Sequence, residues 1–437
     1  MSSYALAATL ILGLVSDEPQ APEPAAWLDS FSADAHGYLL TRAQVYATDR
    51  TRLLYPILEI EPLRVMHELQ AEGFLKGPGF YAYADLAALA RIVPRGCGGH
   101  DEHLGCLVLN EAYAEWHPVD PLRLLVGRHR AQWGRALTVQ YVEALNATPD
   151  VVEPLSQRLG VWMALAELSL GGVIVTAVVA PEVEHDELGL PKELRPLYGN
   201  AAVRAGYAGD GYDASAVGYW DYGAGTFAGG ALASAVLWER LVLHGQALVH
   251  DRRRLDTGKL EEGSCPGIAD IGIPFRPQVD VSANAGAYYN FDDGSLAGAE
   301  WVHQGDGVQR DDFVTTLNTV VLIKQMCPNA RISPPSIVKT GRPPPLSNTL
   351  LARDYVAITG LRPSLAEWSF LEDTSGTATL LLGLDDLSAL ASARIAHTIA
   401  QTATLRLAVL VPLGLWQNQF TILPFDASVI GEIQVSF

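Results

Sequence analysis

The sequence predicts an all-β protein, a single transmembrane antiparallel β-barrel of about 16 to 18 strands. Apolar and polar residues alternate with a period of two in many separated segments, and only 18% of the 437 residues are charged, at a mean hydropathy of +0.14. Because a bilayer accepts only structures that satisfy every backbone hydrogen bond internally, high apolarity without a clear helical span favours a closed sheet. At about 10 residues for each tilted strand, plus turns and loops, the chain length fits this number of strands.

The clearest alternation lies at residues 278–301. One face carries the residues Val279, Val281, Ala283, Ala285, Ala287, Tyr289 and Phe291, and the other carries Gln278, Asp280, Ser282, Asn284 and Asn290. The turn sequence Asp-Asp-Gly-Ser follows at 292–295, and Ala297, Ala299 and Trp301 then resume the apolar face. This pattern predicts a hairpin with a tight turn. The same alternation occurs near both ends of the chain, at 33–45 and 402–411.

Residues 161–180 come closest to a membrane-spanning helix. They contain Glu167 and, at their centre, Ser-Leu-Gly-Gly at 169–172. A spanning helix needs about 20 predominantly apolar residues, whereas two adjacent glycines suit a turn, so we predict two strands around a turn here. Three segments rich in turn formers, residues 181–200, 251–274 and 327–348, are predicted to be surface loops.

The two termini predict export to the outer membrane of a Gram-negative cell. Residues 4–15 form a short apolar core of the length expected of a secretory signal. We therefore assign 1–26 as signal peptide and processing region and 27–437 as the barrel; the alternative for the apolar core is a buried first strand. The last residues, 429–437, resemble the closing strand of bacterial outer-membrane barrels, whose terminal aromatic residue, here Phe437, is read by the barrel assembly machinery.

The surface chemistry of the chain suits a bilayer better than a nucleic acid. The net charge is -19, whereas a phosphate-binding surface needs an excess of Lys and Arg. Acidic extracellular loops would account for this charge, although an acidic surface equally serves solubility. The aromatic residues Tyr207, Tyr212, Tyr219, Trp220 and Tyr222 cluster at segment ends, where rings would meet a membrane interface or would be ordinary strand aromatics.

Residues 110–135 carry a motif beyond alternation. Asn-Glu-Ala-Tyr at 110–113 is followed by Leu-Leu-Val-Gly-Arg-His-Arg-Ala-Gln-Trp-Gly-Arg at 124–135. The two segments resemble paired strands of a Gram-negative porin-like family related to alginate-export barrels. Residues 146–150, 288–305 and 353–355 resemble later elements of that family, the first of which folds toward the lumen; here Ala147 and Thr148 interrupt it. The resemblance implies an outer-membrane pore that contacts lipid and small polar solutes, and porins frequently form homotrimers.

Five charged residues are candidates for lumen and selectivity positions: Arg128, Arg130, Glu111, Arg135 and Glu300. Arg128 and Arg130 lie two residues apart and so share a face of a regular strand. A charge near the bilayer midplane costs about 2–4 kcal/mol, so both guanidinium groups are expected to face the lumen and to pair with a carboxylate of a neighbouring strand. Fixed charges of this kind set ion preference in a pore. The alternative is an arginine ladder that braces the wall.

Residues 97–106 read Cys-Gly-Gly-His-Asp-Glu-His-Leu-Gly-Cys. In an exported protein, Cys97 and Cys106 are expected to form a disulfide that closes a small loop. The two thiols and the imidazoles of His100 and His103 could instead surround a zinc ion, although their spacing matches no common zinc module, and free thiols are a third alternative. We expect no cofactor, and no serine-elbow or zinc-protease motif indicates a catalytic site.

The sequence therefore predicts a passive pore for small polar or charged solutes rather than an enzyme. A second hypothesis is a plugged barrel whose extracellular loops bind a partner or a surface polymer. A third is an outer-membrane enzyme with catalytic side chains on the barrel rim. A soluble all-β protein is the rival to the whole scheme, because the strands of a sandwich alternate too.

Overall fold

The computed structural model describes residues 31–48, 63–91, 105–131, 133, 160–185, 191–222, 225–251, 279–305, 353–365, 372–414 and 425–437. Across these residues the chain forms 18 β-strands in one sheet. Within the same ranges, no helix is long and apolar enough to cross a membrane.

The strands are numbered in chain order. Their bounds are β1 (Ser32–Thr48), β2 (Leu63–Gly77), β3 (Phe80–Arg91), β4 (Gly105–Val119), β5 (Leu122–His129), β6 (Val161–Leu170), β7 (Val173–His185), β8 (Pro191–Gly209), β9 (Tyr212–Asp221), β10 (Thr226–Leu237), β11 (Leu241–Asp251), β12 (Val279–Asn290), β13 (Leu296–His303), β14 (Asp354–Arg362), β15 (Thr374–Gly383), β16 (Ala389–Ala400), β17 (Ala403–Leu413) and β18 (Phe425–Ser436). Each strand pairs antiparallel with the strands before and after it in the chain.

Strands β1 and β18 pair with each other and so close the sheet into a barrel. Their pairing runs from Tyr38 opposite Ser436 to Thr48 opposite Phe425. Beyond it, the N–H of Phe437 donates to the carbonyl of Gly37 (2.9 Å). Closure leaves the sheet of these 18 described strands without an edge strand whose backbone groups are unpaired. The predicted all-β barrel is confirmed, with a strand number at the upper end of the expected range.

The shortest turns lie at the barrel end that also holds the C-terminus. Two-residue turns join β2 to β3, β4 to β5, β6 to β7, β8 to β9 and β16 to β17. Gly79 and Gly211 in these turns have φ angles of 65° and 79°, a left-handed conformation that glycine adopts without steric cost. Long connections at the opposite end span residues 49–62, 92–104, 130–160, 252–278 and 304–353. Outer-membrane barrels have this asymmetry, with short periplasmic turns and long extracellular loops.

Apolar side chains face outward on the strands and polar side chains face inward. In β12, Val279 and Val281 are 62% and 46% exposed, whereas Asp280, Ser282 and Asn284 are buried. A soluble sandwich would bury the valines instead. This distribution is the one that a barrel surrounded by lipid requires.

An apolar cluster also lies inside the barrel, on strands β5 to β11 and, beyond β12, on β13 to β18 and β1. It includes Leu125, Leu165 and Trp133, which is buried beyond the end of β5. The ring centroid of Trp133 lies 6.0 Å from that of Tyr219 on β9. The chain that leaves β5 therefore passes along the inner wall before the segment 134–159.

Outward aromatic rings pair at two levels of β8 to β10. Tyr207 and Tyr212 stack near the short-turn end with centroids 5.8 Å apart, and Trp220 stacks on Phe227 near the opposite end at 6.0 Å. All four rings are exposed, as expected for aromatic girdles at two membrane interfaces. Tyr219, which the sequence grouped with them, points inward instead, because alternation places it on the face opposite Trp220.

Two local predictions are confirmed. The hairpin predicted at 278–301 is formed by β12 and β13, of which the structure describes Val279 onward, and in its turn the N–H of Ser295 donates to Asp293 Oδ1 (2.9 Å). This hydrogen bond holds the pKa of the exposed Asp293 carboxyl below its usual range. Residues 161–180 form β6 and part of β7, joined at Gly171 and Gly172, both with positive φ.

The loop predicted for residues 181–200 is wrong for most of its length. Strand β7 continues to His185 and β8 begins at Pro191, with Pro181 opposite Gly199. Register shifts within this pairing accommodate the turn formers, and Gly199 adopts φ 144° where a Cβ would lie 2.4 Å from the Ala180 carbonyl oxygen. The loops predicted for 251–274 and 327–348 lie outside the described residues, except Asp251, which ends β11.

Candidate selectivity site on the inner wall

The paired strands β4 and β5 bring Arg130 and Glu111 together at the end of β5. Arg130 Nε lies 3.1 Å from Glu111 Oε2, and its Nη2 lies 3.7 Å from Asp85 Oδ2 on β3. His129 Nδ1 lies 3.1 Å from Glu111 Oε1, which also accepts the backbone N–H of Arg130 (2.9 Å). Asn110 donates to Asp85 Oδ1 (3.2 Å). We call these five residues the Glu111 cluster.

A β-bulge builds this cluster. Asp85 is opposite Glu111, but the next residue, Leu86, is opposite Leu109, so β4 has one extra residue, Asn110. A bulge of this kind re-aims side chains. It places two successive polar side chains, Asn110 and Glu111, beside Asp85, where strict alternation would separate them.

Arg128 has a different environment from Arg130. Its side chain is 6% exposed, and its Nε donates to the carbonyl of Gly160 at the start of β6 (2.9 Å). Arg128 therefore ties β5 to the chain that leads into β6, whereas Arg130 contacts carboxylates of β3 and β4.

Gly127 of β5, directly opposite Tyr113 of β4, has a backbone conformation that a side chain would strain. Its φ is 139°, and a Cβ there would lie 2.2 Å from the Ala112 carbonyl oxygen and 2.9 Å from Tyr113 Cβ. The bare backbone lets the Tyr113 ring approach His129, with centroids 4.5 Å apart.

Glu300 lies on the opposite side of the barrel. It belongs to β13, nine strands along the 18-stranded sheet from β4. Its Oε1 lies 2.6 Å from His244 Nε2 of β11, and both side chains are almost fully buried. Gly286 of β12 separates the two; a Cβ there would meet Glu300 Cγ at 2.6 Å and His244 Cε1 at 2.9 Å. Glu300 and the Glu111 cluster are therefore two separate sites.

Sequence reasoning missed a charge cluster where the barrel closes. Glu432 of β18 is 2% exposed; Arg42 of β1 approaches it at 2.8 Å, and Arg406 of β17 contacts its other oxygen. Arg394 of β16 interacts electrostatically with all three. The polar positions of β1, β17 and β18 were visible in the alternation, but only the β1–β18 pairing shows that they meet.

A third set of charges crosses β4 to β7 toward the short-turn end. Arg123 Nη2 lies 2.7 Å from Glu115 Oε2, and its Nη1 lies 3.8 Å from Glu167 Oε1. Thr176 donates to Glu167 Oε2 (3.1 Å). These contacts make a continuous polar ladder across four neighbouring strands of the inner wall.

Some predicted site residues lie outside the described residues. These are Arg135, Cys97, His100 and His103. Cys106 is the second residue of β4, but its side chain is not described. The disulfide and its zinc alternative therefore stay predictions. Among the residues that the structure describes, no group of three or more His, Cys, Asp or Glu side chains could hold a metal ion.

Comparison with solved structures gives one match that supports the fold. The chain is similar to OccAB1 of Acinetobacter baumannii. The TM-score is 0.56 at 10% identity, over 92% of this chain and 96% of that one. OccK3 (OpdO) of Pseudomonas aeruginosa matches at TM-score 0.49 and 12% identity, covering 92% and 96% of the two chains. A variant of the Rhodopseudomonas blastica porin matches at 0.43 and 11%, covering 93% and 100%.

At these identities the likeness to OccAB1 concerns the fold alone. No protein-family model matches the sequence, and no curated protein matches it. The relationship to alginate-export barrels therefore stays a prediction.

Proposed function

We propose that this chain forms a passive pore for small polar or charged solutes in the outer membrane of a Gram-negative cell. The observation that carries the proposal is the closed 18-stranded barrel with apolar residues outside and a charged inner wall. Barrels of 16 to 18 strands are wide enough for an aqueous channel. Its lumen would then be lined by the Glu111 cluster, the Glu432 cluster (Arg42, Arg394, Arg406, Glu432) and the Arg123 ladder (Glu115, Arg123, Glu167, Thr176).

Burial energetics support a wet lumen. An isolated charge removed from water costs several kcal/mol, and charged side chains lie on most of the strands that form the inner wall. Water in the lumen lowers this cost, and cross-strand ion pairs lower it further. Arg128, Arg130, Glu111 and Glu300 are proposed as the residues whose charges influence which ions pass.

The remaining partners belong to the same proposal. The outward rings of Tyr207, Tyr212, Trp220 and Phe227 suit contact with lipid headgroups at two levels. We propose export through the periplasm with residues 1–26 as signal, assembly through the strand that ends at Phe437, and a homotrimer as the form in the membrane.

Planar-bilayer recording tests the pore. The chain, refolded in detergent and shown to be folded by heat-modifiable migration, is expected to give discrete conductance steps. A barrel that is folded by the same criterion and gives no steps would contradict the pore and favour the plugged barrel whose extracellular loops bind a partner or a surface polymer. Heat-denatured protein added to the same bilayer is the control.

A further inference from the structure

Four aromatic rings form a contiguous patch on the inner wall of β2 to β4. They are Phe74, Tyr81, Tyr83 and Tyr113, which we call the Tyr113 patch. Ring centroids lie 6.3 Å apart for Phe74 and Tyr81, 6.1 Å for Tyr81 and Tyr113, and 5.6 Å for Tyr83 and Tyr113. Phe74, Tyr83 and Tyr113 occupy directly opposite register positions on the three strands, so they share one face.

The shared face is the inner one. Tyr83 donates its hydroxyl hydrogen to Glu72 Oε2 (3.0 Å), and Asp85, two residues further along β3, is 1% exposed within the Glu111 cluster. The alternate positions of β3 and β4, including Ala84 and Trp116, are exposed on the outer surface. The four rings are themselves half-buried, so part of each remains accessible from the lumen.

Carboxylates outnumber guanidinium groups around these rings. Glu72, Asp85 and Glu111 lie in the register row next to that of Phe74, Tyr83 and Tyr113, and Glu115 lies directly opposite Tyr81. Against these four negative charges stand the guanidinium groups of Arg123 and Arg130. Asp34 and Lys76, at neighbouring register positions of β1 and β2, offset each other.

We propose that the Tyr113 patch binds organic cations during their passage through the barrel. The inference rests on the proposed pore and adds the substrate class. Aromatic faces attract a cation through the ring quadrupole, most strongly for weakly hydrated ammonium groups, and the surplus of carboxylates adds long-range attraction. An ammonium compound with methyl groups meets both features: its charge faces the acidic row and its apolar surface meets the rings.

Choline is a suitable probe, because it has a quaternary ammonium group and little other chemistry. In bilayers with a KCl gradient, the reversal potential is expected to show cation preference, and added choline is expected to reduce the potassium current in a concentration-dependent way. Tyr113→Leu and Tyr83→Leu should each raise the half-blocking concentration about two- to fivefold, the range expected for loss of one exposed cation–π contact.

Two controls separate the ring from other effects. Tyr83→Phe removes the hydrogen bond to Glu72 but keeps the ring, so it should retain the block. Tyr207→Leu removes an aromatic ring of the outer surface and should leave the block unchanged. Conducting channels that choline does not block, or blocks equally in all four variants, would overturn the inference and leave the pore intact.

Calorimetric titration of choline into the folded protein in detergent tests the site without requiring an open pore. Saturable heat that weakens in Tyr113→Leu supports the site even if bilayers show no conductance steps. The absence of steps would then contradict the pore alone. Absence of saturable heat from the folded wild-type protein would overturn the site.

Discussion

At the scale of single residues, Glu432 gives the clearest test of what stabilises the barrel. Its carboxylate, 2% exposed, lies between the guanidinium groups of Arg42 and Arg406, with Arg394 nearby. Glu432→Gln removes the negative charge that contacts both Arg42 and Arg406. Loss of one partner of a buried ion pair costs about 3–5 kcal/mol, so we expect the free energy of unfolding in detergent to fall by about that amount.

Urea titration followed by heat-modifiable migration measures this loss. Glu239→Gln is the matched control, because Glu239 lies exposed in the turn between β10 and β11 and should tolerate the same change. Equal unfolding midpoints for the two variants would contradict a stabilising role for the Glu432 cluster.

Single residues also show which side-chain environments the sequence could not predict. Two-residue spacing predicts a common face for Arg128 and Arg130, yet one donates to a backbone carbonyl and the other contacts carboxylates. The conformation of Gly127 and the bulge at Asn110 set these environments, and neither has a signal in alternation. The pairing of Arg130 with Glu111 depends on the register between β4 and β5, which the sequence alone does not specify.

At the scale of the strand, Gly127 makes the pairing of β4 and β5 possible. Gly127→Ala would place a Cβ 2.2 Å from the Ala112 carbonyl oxygen at φ 139°. Backbone strain of this kind costs of order 1–3 kcal/mol. We expect a lower unfolding midpoint and a disturbed Glu111 cluster, measured by urea titration and by ion selectivity.

Gly218→Ala is the matched control for this strand. Gly218 faces outward on β9, and a Cβ there would meet nothing within 4 Å. A destabilisation of Gly218→Ala as large as that of Gly127→Ala would show that loss of any strand glycine matters, and not the particular backbone of β5.

Strand existence was far more predictable than strand ends. The hairpin of β12 and β13 and the turn at Gly171 follow from alternation and turn chemistry, because each depends only on neighbours in sequence. The continuation of β7 and β8 through residues 181–185 and 191–200 does not, because pairing across a long hairpin overrides local turn propensity.

At the scale of the whole molecule, the decisive property is that the barrel is apolar outside. Ala216 tests it, because it lies at the middle of β9 with an exposed, outward side chain. Ala216→Arg should lower the yield of folded barrel in lipid vesicles, since an arginine on the lipid face near the midplane costs about 2–4 kcal/mol. Ala216→Leu, apolar and at the same position, should fold like the wild type.

The comparison between vesicles and water makes this test specific to a membrane. If the barrel were a soluble protein, Ala216→Arg would add one exposed charge to its surface and leave folding unchanged without lipid. A lipid-dependent defect of the arginine variant, absent from the leucine variant, is the expected outcome, because only a hydrocarbon environment distinguishes the two side chains so strongly. Equal folding of both variants in vesicles would place this face of β9 in water and contradict the transmembrane orientation from which the pore follows.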